Sequence, residues 1–292
     1  MRIIRIKMAT VCFAIVSLLC PGADSYAFEE SEVTTSPAET ACGAGCCNDG
    51  LESSLWKHDS CWFAGLCSNS DPQVTLGNRL WIGPRFEHRR GNDGAFPVDG
   101  DLNGVAIGWR TRNIDATFLS IEAVIHDGAF DPSVGDSSDY EEWQLETLVG
   151  HTWSNECRTL FVTPYTGLRY RRATNVLGAP LNLNVEQDVW TAPFGLRTDL
   201  LITDKIAVGL DARLQWKFYD DQLVSGVGVA IRDKSDEMLT SRIDAPLTVQ
   251  VIPNGELELR PYYEWDRFDS DRSSRRTRLD EYGGQISFLY RF

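Results

Sequence analysis

The chain has 292 residues, 42 acidic side chains against 28 basic ones, and a formal net charge of −14. That balance excludes nucleic acid as a partner, since neutralising phosphates takes clustered Lys and Arg. No segment approaches the roughly 18 uninterrupted apolar residues of a spanning helix, so a helical membrane protein is excluded too.

In chain order, Arg2, Arg5 and Lys7 precede an apolar run from Met8 to Leu19, followed by Pro21, Gly22 and the small-residue site Ser25-Tyr26-Ala27. This layout predicts a secretory signal peptide, residues 1–27, cut after Ala27. Leu19 stands where a lipoprotein would need a small residue before Cys20, which sets that reading aside. Residues 28–73 form a second, cysteine-rich unit carrying Cys42, Cys46, Cys47, Cys61 and Cys67. With the distant Cys157 they make an even set of disulfide candidates in an exported chain. Five cysteines cannot pair among themselves, so Cys157 is the natural partner of the one left over; the connectivity stays open. Zinc is the rival use of such a cluster, but the paired C-x₂-C knuckles are missing. No metal and no cofactor is expected. The segment is too small for a core of its own and is expected to be a stapled periplasmic unit.

From about Val74 to Phe292 the rhythm changes to roughly ten alternating runs separated by turn signals. Runs near 78–89, 102–113, 115–127, 140–154 and 159–172 are noisy. Later ones are clean. Ala192, Phe194, Leu196, Leu200 and Ile202 oppose Thr191, Arg197 and Asp199. Ile206, Val208, Leu210, Ala212, Leu214, Trp216 and Phe218 oppose Asp211, Arg213, Gln215 and Lys217. Ile243, Leu247, Val249 and Val251 oppose Arg242, Asp244 and Thr248; Leu257, Leu259, Tyr263 and Trp265 oppose Glu258, Arg260, Tyr262 and Glu264. On a strand this means one apolar and one charged face. Connections alternate strictly. They are short near 112–114, 154–158, 204 and 253–255, and long near 90–100, 127–139, 173–185, 220–237 and 268–277. Short turns on one side and long loops on the other describe an antiparallel up-and-down transmembrane β-barrel of about ten strands, with eight or twelve as neighbouring counts.

A soluble barrel with an apolar pocket shares this alternation. Two features favour lipid outside. Trp81, Trp109, Trp143, Trp153, Trp190, Trp216, Trp265 and Tyr263 gather near strand ends, as interfacial girdles do. The charged face carries both signs, so Arg169, Arg171, Arg197, Asp199, Asp211, Arg213, Lys217, Glu258, Arg260 and Glu264 are expected to line a lumen, with Tyr165 and Tyr262 bridging it. Pro84, Pro164, Pro193, Pro246 and Pro261 each delete a ladder donor and are expected at bulges or strand ends near the rim.

The last strand puts Tyr282, Gly284, Ile286, Phe288, Tyr290 and Phe292 on one face and ends in Phe. It resembles the terminal strand of small bacterial outer-membrane β-barrel proteins, porin-like in the broad sense, over about residues 74–292. The resemblance implies Phe288, Tyr290 and Phe292 as an insertion signal, the barrel-insertion machinery and outer-membrane lipid as partners, and an outer-membrane location with the N-terminal segment periplasmic.

A non-enzymatic role follows, as a structural envelope element or a narrow pore for small solutes or ions. A rim hydrolase is the enzymatic alternative, built on His126-Asp127 with Asp139, Glu141 and Glu142 nearby and His88 and His151 as the other barrel histidines. No G-x-S-x-G elbow supports it.

Overall fold

The computed structural model describes residues 74–93, 96–130, 138–178, 182–226, 228–234, 238–268 and 277–292. The expected signal peptide and cysteine-rich segment lie outside them. Twelve strand segments form one sheet: β1 (Gly77–Asp93), β2 (Phe96–Arg112), β3 (Ala116–Phe130), β4 (Ser138–Ser154), β5 (Leu160–Leu177), β6 (Leu183–Thr203), β7 (Ile206–Gly226), β8 (Val229–Lys234), β9 (Met238–Asp244), β10 (Leu247–Ile252), β11 (Gly255–Phe268) and β12 (Thr277–Arg291). Segments β8, β9 and β10 follow one another along β7, so together they make a single barrel strand. Counting those three as one gives ten strands, each antiparallel to its neighbours. Pairing of β1 with β12, from Arg79↔Arg291 to Asn92↔Arg278, closes the barrel. Closure removes the sheet edges, as hydrocarbon requires.

The short connections, Asn113–Asp115, Asn155–Thr159, Asp204–Lys205 and Pro253–Asn254, share one end with Gly77 and Phe292. At the other end four of the expected long loops are shortened, because the ladders run on to Asp93↔Phe96, Phe130↔Ser138, Leu177↔Leu183 and Gly226↔Val229. The last connection keeps its expected bounds, from Phe268 to Thr277. Strand pairing continues because those stretches satisfy each other's backbone groups beyond the membrane.

The prolines are also corrected. Pro84, Pro164, Pro193 and Pro261 lie inside strands, and bulges fall elsewhere. Each missing N–H shows instead as a two-residue gap on one side of the ladder. At Pro84 the β1–β12 register steps from Ile82↔Phe288 to Arg85↔Gln285. At Pro193 the β5–β6 register steps from Thr166↔Phe194 to Arg169↔Thr191. Pro246 separates β9 from β10. The bulge in β7 falls at Phe218, between the pairs Trp190↔Tyr219 and Thr191↔Lys217. By shifting the phase it turns both Lys217 and Asp220 inward, where Lys217 Nζ donates to Asp220 at 2.8 Å.

Apolar side chains cover the outside: Ile82, Ile107, Phe194, Leu196, Leu210, Leu214, Leu257 and Phe288 are all exposed. The expected girdle largely stands on that face, with Trp143, Tyr170 and Trp190 in a continuous row at centroid distances of 4.9 and 4.8 Å. Trp81 is the exception. It is buried inside, and its ring lies where a Cβ on Gly108 would come within 2.4 Å, so the missing side chain of the neighbouring strand makes the seat. At the short-turn mouth Val74 packs against Phe161, Leu201 and Ala207, with Leu76 and Ile114 alongside. Thr75, at φ 70°, and Gly77, at φ 90°, bend the chain from this apolar cap into β1.

Candidate functional site: the charged lumen

Alternation along β1 sends Arg79, Trp81, Arg85, Glu87 and Arg89 to the inside, and the other strands do the same. The result is a column of ion pairs in three tiers.

At the hairpin end, Arg89 joins three strands. Its Nη1 donates to Glu142 at 2.8 Å and to the Tyr140 hydroxyl at 2.6 Å; its Nε lies 3.2 Å from Glu281 and also donates to Glu87. Arg171 lies 3.9 Å from both Glu142 and Glu281. His126 is buried here, with Nδ1 3.5 Å from Glu142 and Nε2 3.9 Å from Glu87.

In the middle tier two guanidiniums stand over the Tyr262 ring, Arg85 at 4.7 Å and Arg242 at 4.1 Å from its centroid. Its hydroxyl donates to Glu87 at 2.6 Å. Arg213 reaches both oxygens of Glu146, at 3.1 and 3.2 Å, and Asp211 at 3.2 Å. Tyr165 also donates to Asp211. Arg169 donates to Gln144 at 2.7 Å and Gln215 at 2.8 Å, and lies 3.6 Å from Glu264.

Toward the short-turn end, Glu258 collects Arg260 at 3.0 Å, Arg110 at 3.2 Å and Arg197 at 3.7 Å. Asp199 accepts from Arg197 at 3.0 and 3.1 Å and from Arg112, while Arg79 donates to Glu256 at 2.8 Å.

The ten side chains singled out from sequence therefore sit in this column: Arg171 and Lys217 toward the hairpins, Arg169, Asp211, Arg213 and Glu264 in the middle, Arg197, Asp199, Glu258 and Arg260 below. Several equal members were missed: Arg79, Arg85, Glu87, Arg89, Arg110, Arg112, Glu142 and Glu281. Their signal was the common parity of 79, 85, 87 and 89 on a run that looked noisy because Trp81 shares it.

The pairing of His126 with Asp127 is overturned. Adjacent strand residues point to opposite faces, so His126 is buried inside while Asp127 is exposed outside. Of the proposed partners, Glu142 faces inward with His126, and Asp139 and Glu141 face outward. His88 lies on the outer face, 2.7 Å from Asp101 and 3.3 Å from Asp99, and His151 packs on Trp153.

An apolar exterior around a closed, ion-paired interior can be solvated only by hydrocarbon outside. The chain is an integral membrane β-barrel of the outer-membrane type. A soluble barrel with an apolar pocket would need the opposite faces.

No family model matches the sequence, and no curated protein matches it. Solved structures similar to this barrel include the translocator domain of the autotransporter NalP from Neisseria meningitidis. It is 11% identical, with a TM-score of 0.48, over 78% of this chain and 91% of that one. The outer membrane protease OmpT from Escherichia coli is 10% identical with a TM-score of 0.48, over 75% of this barrel's chain and 98% of its own. Neisserial surface protein A is 10% identical with a TM-score of 0.34, over 73% and 97%. The assignment rests on the barrel's own two faces.

Proposed function

We propose that this outer-membrane barrel is a closed scaffold that anchors its outer hairpins in the envelope, rather than an open conduit. One observation supports the reading: buried ion pairs cross the lumen at the hairpin, middle and short-turn levels, as Arg89–Glu142, Arg213–Glu146 and Arg112–Asp199 do. Its central cavity is only about 10 Å³, at the threshold for a single water. Sixteen-stranded porins keep an aqueous channel, whereas barrels near eight strands are filled by side chains. The apolar cap of Val74 on Phe161 and Leu201 adds a second closure. The cysteine-rich segment would be held at that same mouth through Cys157, which lies in the turn between β4 and β5.

Planar-bilayer recording on the purified, refolded barrel tests this. The expected result is no resolved single-channel step in molar salt. Discrete steps would replace the scaffold by the second reading, a narrow ion pore, which the charged lining favours.

A further inference from the structure

We propose that His126 is a proton-binding site, and that its imidazolium form is a pH-sensitive clasp between β1, β3 and β4 at the hairpin end of the lumen. The ring is wholly buried, and neither of its nitrogens has a hydrogen-bond partner among the described residues. Gly104, its neighbour on β2, provides the seat, since a Cβ there would come within 2.3 Å of the ring.

Each nitrogen faces a carboxylate on a different strand. Nδ1 lies 3.5 Å from Glu142 on β4, and Nε2 lies 3.9 Å from Glu87 on β1. An ionised carboxylate only accepts, and a neutral imidazole carries a single N–H. Either neutral tautomer therefore turns one bare nitrogen toward a carboxylate oxygen, acceptor against acceptor. The imidazolium carries two N–H groups and suits both neighbours at once. Charge compensation is not the reason, for Glu87 and Glu142 both accept from Arg89, and Arg85 lies 3.4 Å from Glu87. The reason is that no donor serves a bare ring nitrogen.

The other titratable and charged groups around the ring come from every strand packed there. Arg85 on β1 is turned to Glu122 and the Tyr262 hydroxyl of β11 as well as to Glu87. Arg171 on β5 lies 3.9 Å from Glu142, and Glu281 on β12 lies 3.2 Å from Arg89. On β4, Tyr140 and Gln144 both donate to Glu142. Tyr140 also meets Phe130 edge-on at 4.8 Å, within the apolar cluster that includes Leu102 and Ala173. A proton on His126 thus fixes Glu142 and, through Tyr140, this cluster. Stability that a bound proton contributes is present at acid pH and lost as the pH rises. Histidine changes charge within roughly pH 5 to 8.

Nitrogen NMR of the full chain in micelles, with isotopically labelled histidine, reads the protons directly, and the His126→Gln chain identifies the resonances. Both ring nitrogens of His126 are expected to carry protons at about pH 5.5, one of them lost by about pH 9. Over the same interval the exchange protection of the amides around Glu142 and Phe130 should fall roughly tenfold, the order of one unmade buried hydrogen bond. In the His126→Gln chain that protection should not change. A ring with one bare nitrogen at the acid end, a ring that keeps both protons throughout, or an equal fall in both chains overturns the clasp. Should that variant fail to insert, His58→Gln, His88→Gln and His151→Gln assign the resonance by elimination, and the titration of the ring decides.

Discussion

Glu258 shows what a single residue does in this lumen. One carboxylate holds Arg110, Arg197 and Arg260 and also accepts from Thr248 at 3.4 Å. Breaking a buried pair from one side leaves an uncompensated charge, at a cost of about 3–5 kcal/mol. Glu258→Gln is therefore expected to lower the urea midpoint of the micelle-bound barrel by that order, while Glu186→Gln, at an exposed pair with Arg172, changes it by less than about 1 kcal/mol. Gly195 makes a different kind of contact. A Cβ there would come within 2.3 Å of the Tyr165 ring, and Tyr165 cannot retreat while its hydroxyl is bonded to Asp211. Gly195→Ala should cost about 1–3 kcal/mol by overpacking, and pairing it with Tyr165→Phe, which frees the ring, should recover part of that loss in the same assay.

At the scale of the element, each strand is tested by its faces. Leu210 lies midway along the lipid-facing part of β7 and is 51% exposed. Leu210→Arg is expected to destabilise the inserted barrel by about 2–4 kcal/mol, a depth-dependent cost absent in a soluble barrel. The β7–β8 hairpin stands beyond the girdle and carries its own latch, Asp221 bonded to Arg232 at 2.7 Å through Nε and again through Nη2. The hydrogen bonds from Arg232 hold the Asp221 carboxyl at about 2, below the unfolded value of about 3.9. A depressed carboxylate contributes stability that is present above the unfolded value and lost as pH falls through the folded one. Between pH 4 and pH 2 the hairpin amides should lose protection from exchange in the wild-type chain, and Asp221→Asn should show reduced protection already at pH 5. The later strands were legible because charged and apolar residues keep opposite parity over long runs there, as Asp211, Arg213 and Lys217 do against Leu210, Leu214 and Trp216. β1 was harder to read, since an inward Trp81 breaks the pattern and its reason lies on another strand, at Gly108. The bulge at Phe218 left no mark in the sequence either: it is visible only as a change of register against Trp190.

At the scale of the whole molecule, closure makes the barrel a cooperative unit whose edges exist nowhere. The unboiled protein should accordingly migrate faster than the boiled one on gels and partition with the outer membrane; recovery in the soluble fraction would contradict the lipid-facing exterior. Cys157→Ser should release the cysteine-rich segment to limited proteolysis without changing that mobility shift, and unchanged protection would remove the proposed clamp. The sequence by itself determined the architecture: the period-two pattern, the alternation of short and long connections and the aromatic terminal strand are local properties that survive without coordinates. Only the tertiary structure decided how the lumen is used. Whether Arg213 meets Glu146, or His126 faces Glu142 rather than Asp127, depends on register and tilt between strands far apart in the chain. Ion pairs that span a barrel are fixed by closure, and no stretch of sequence carries closure alone.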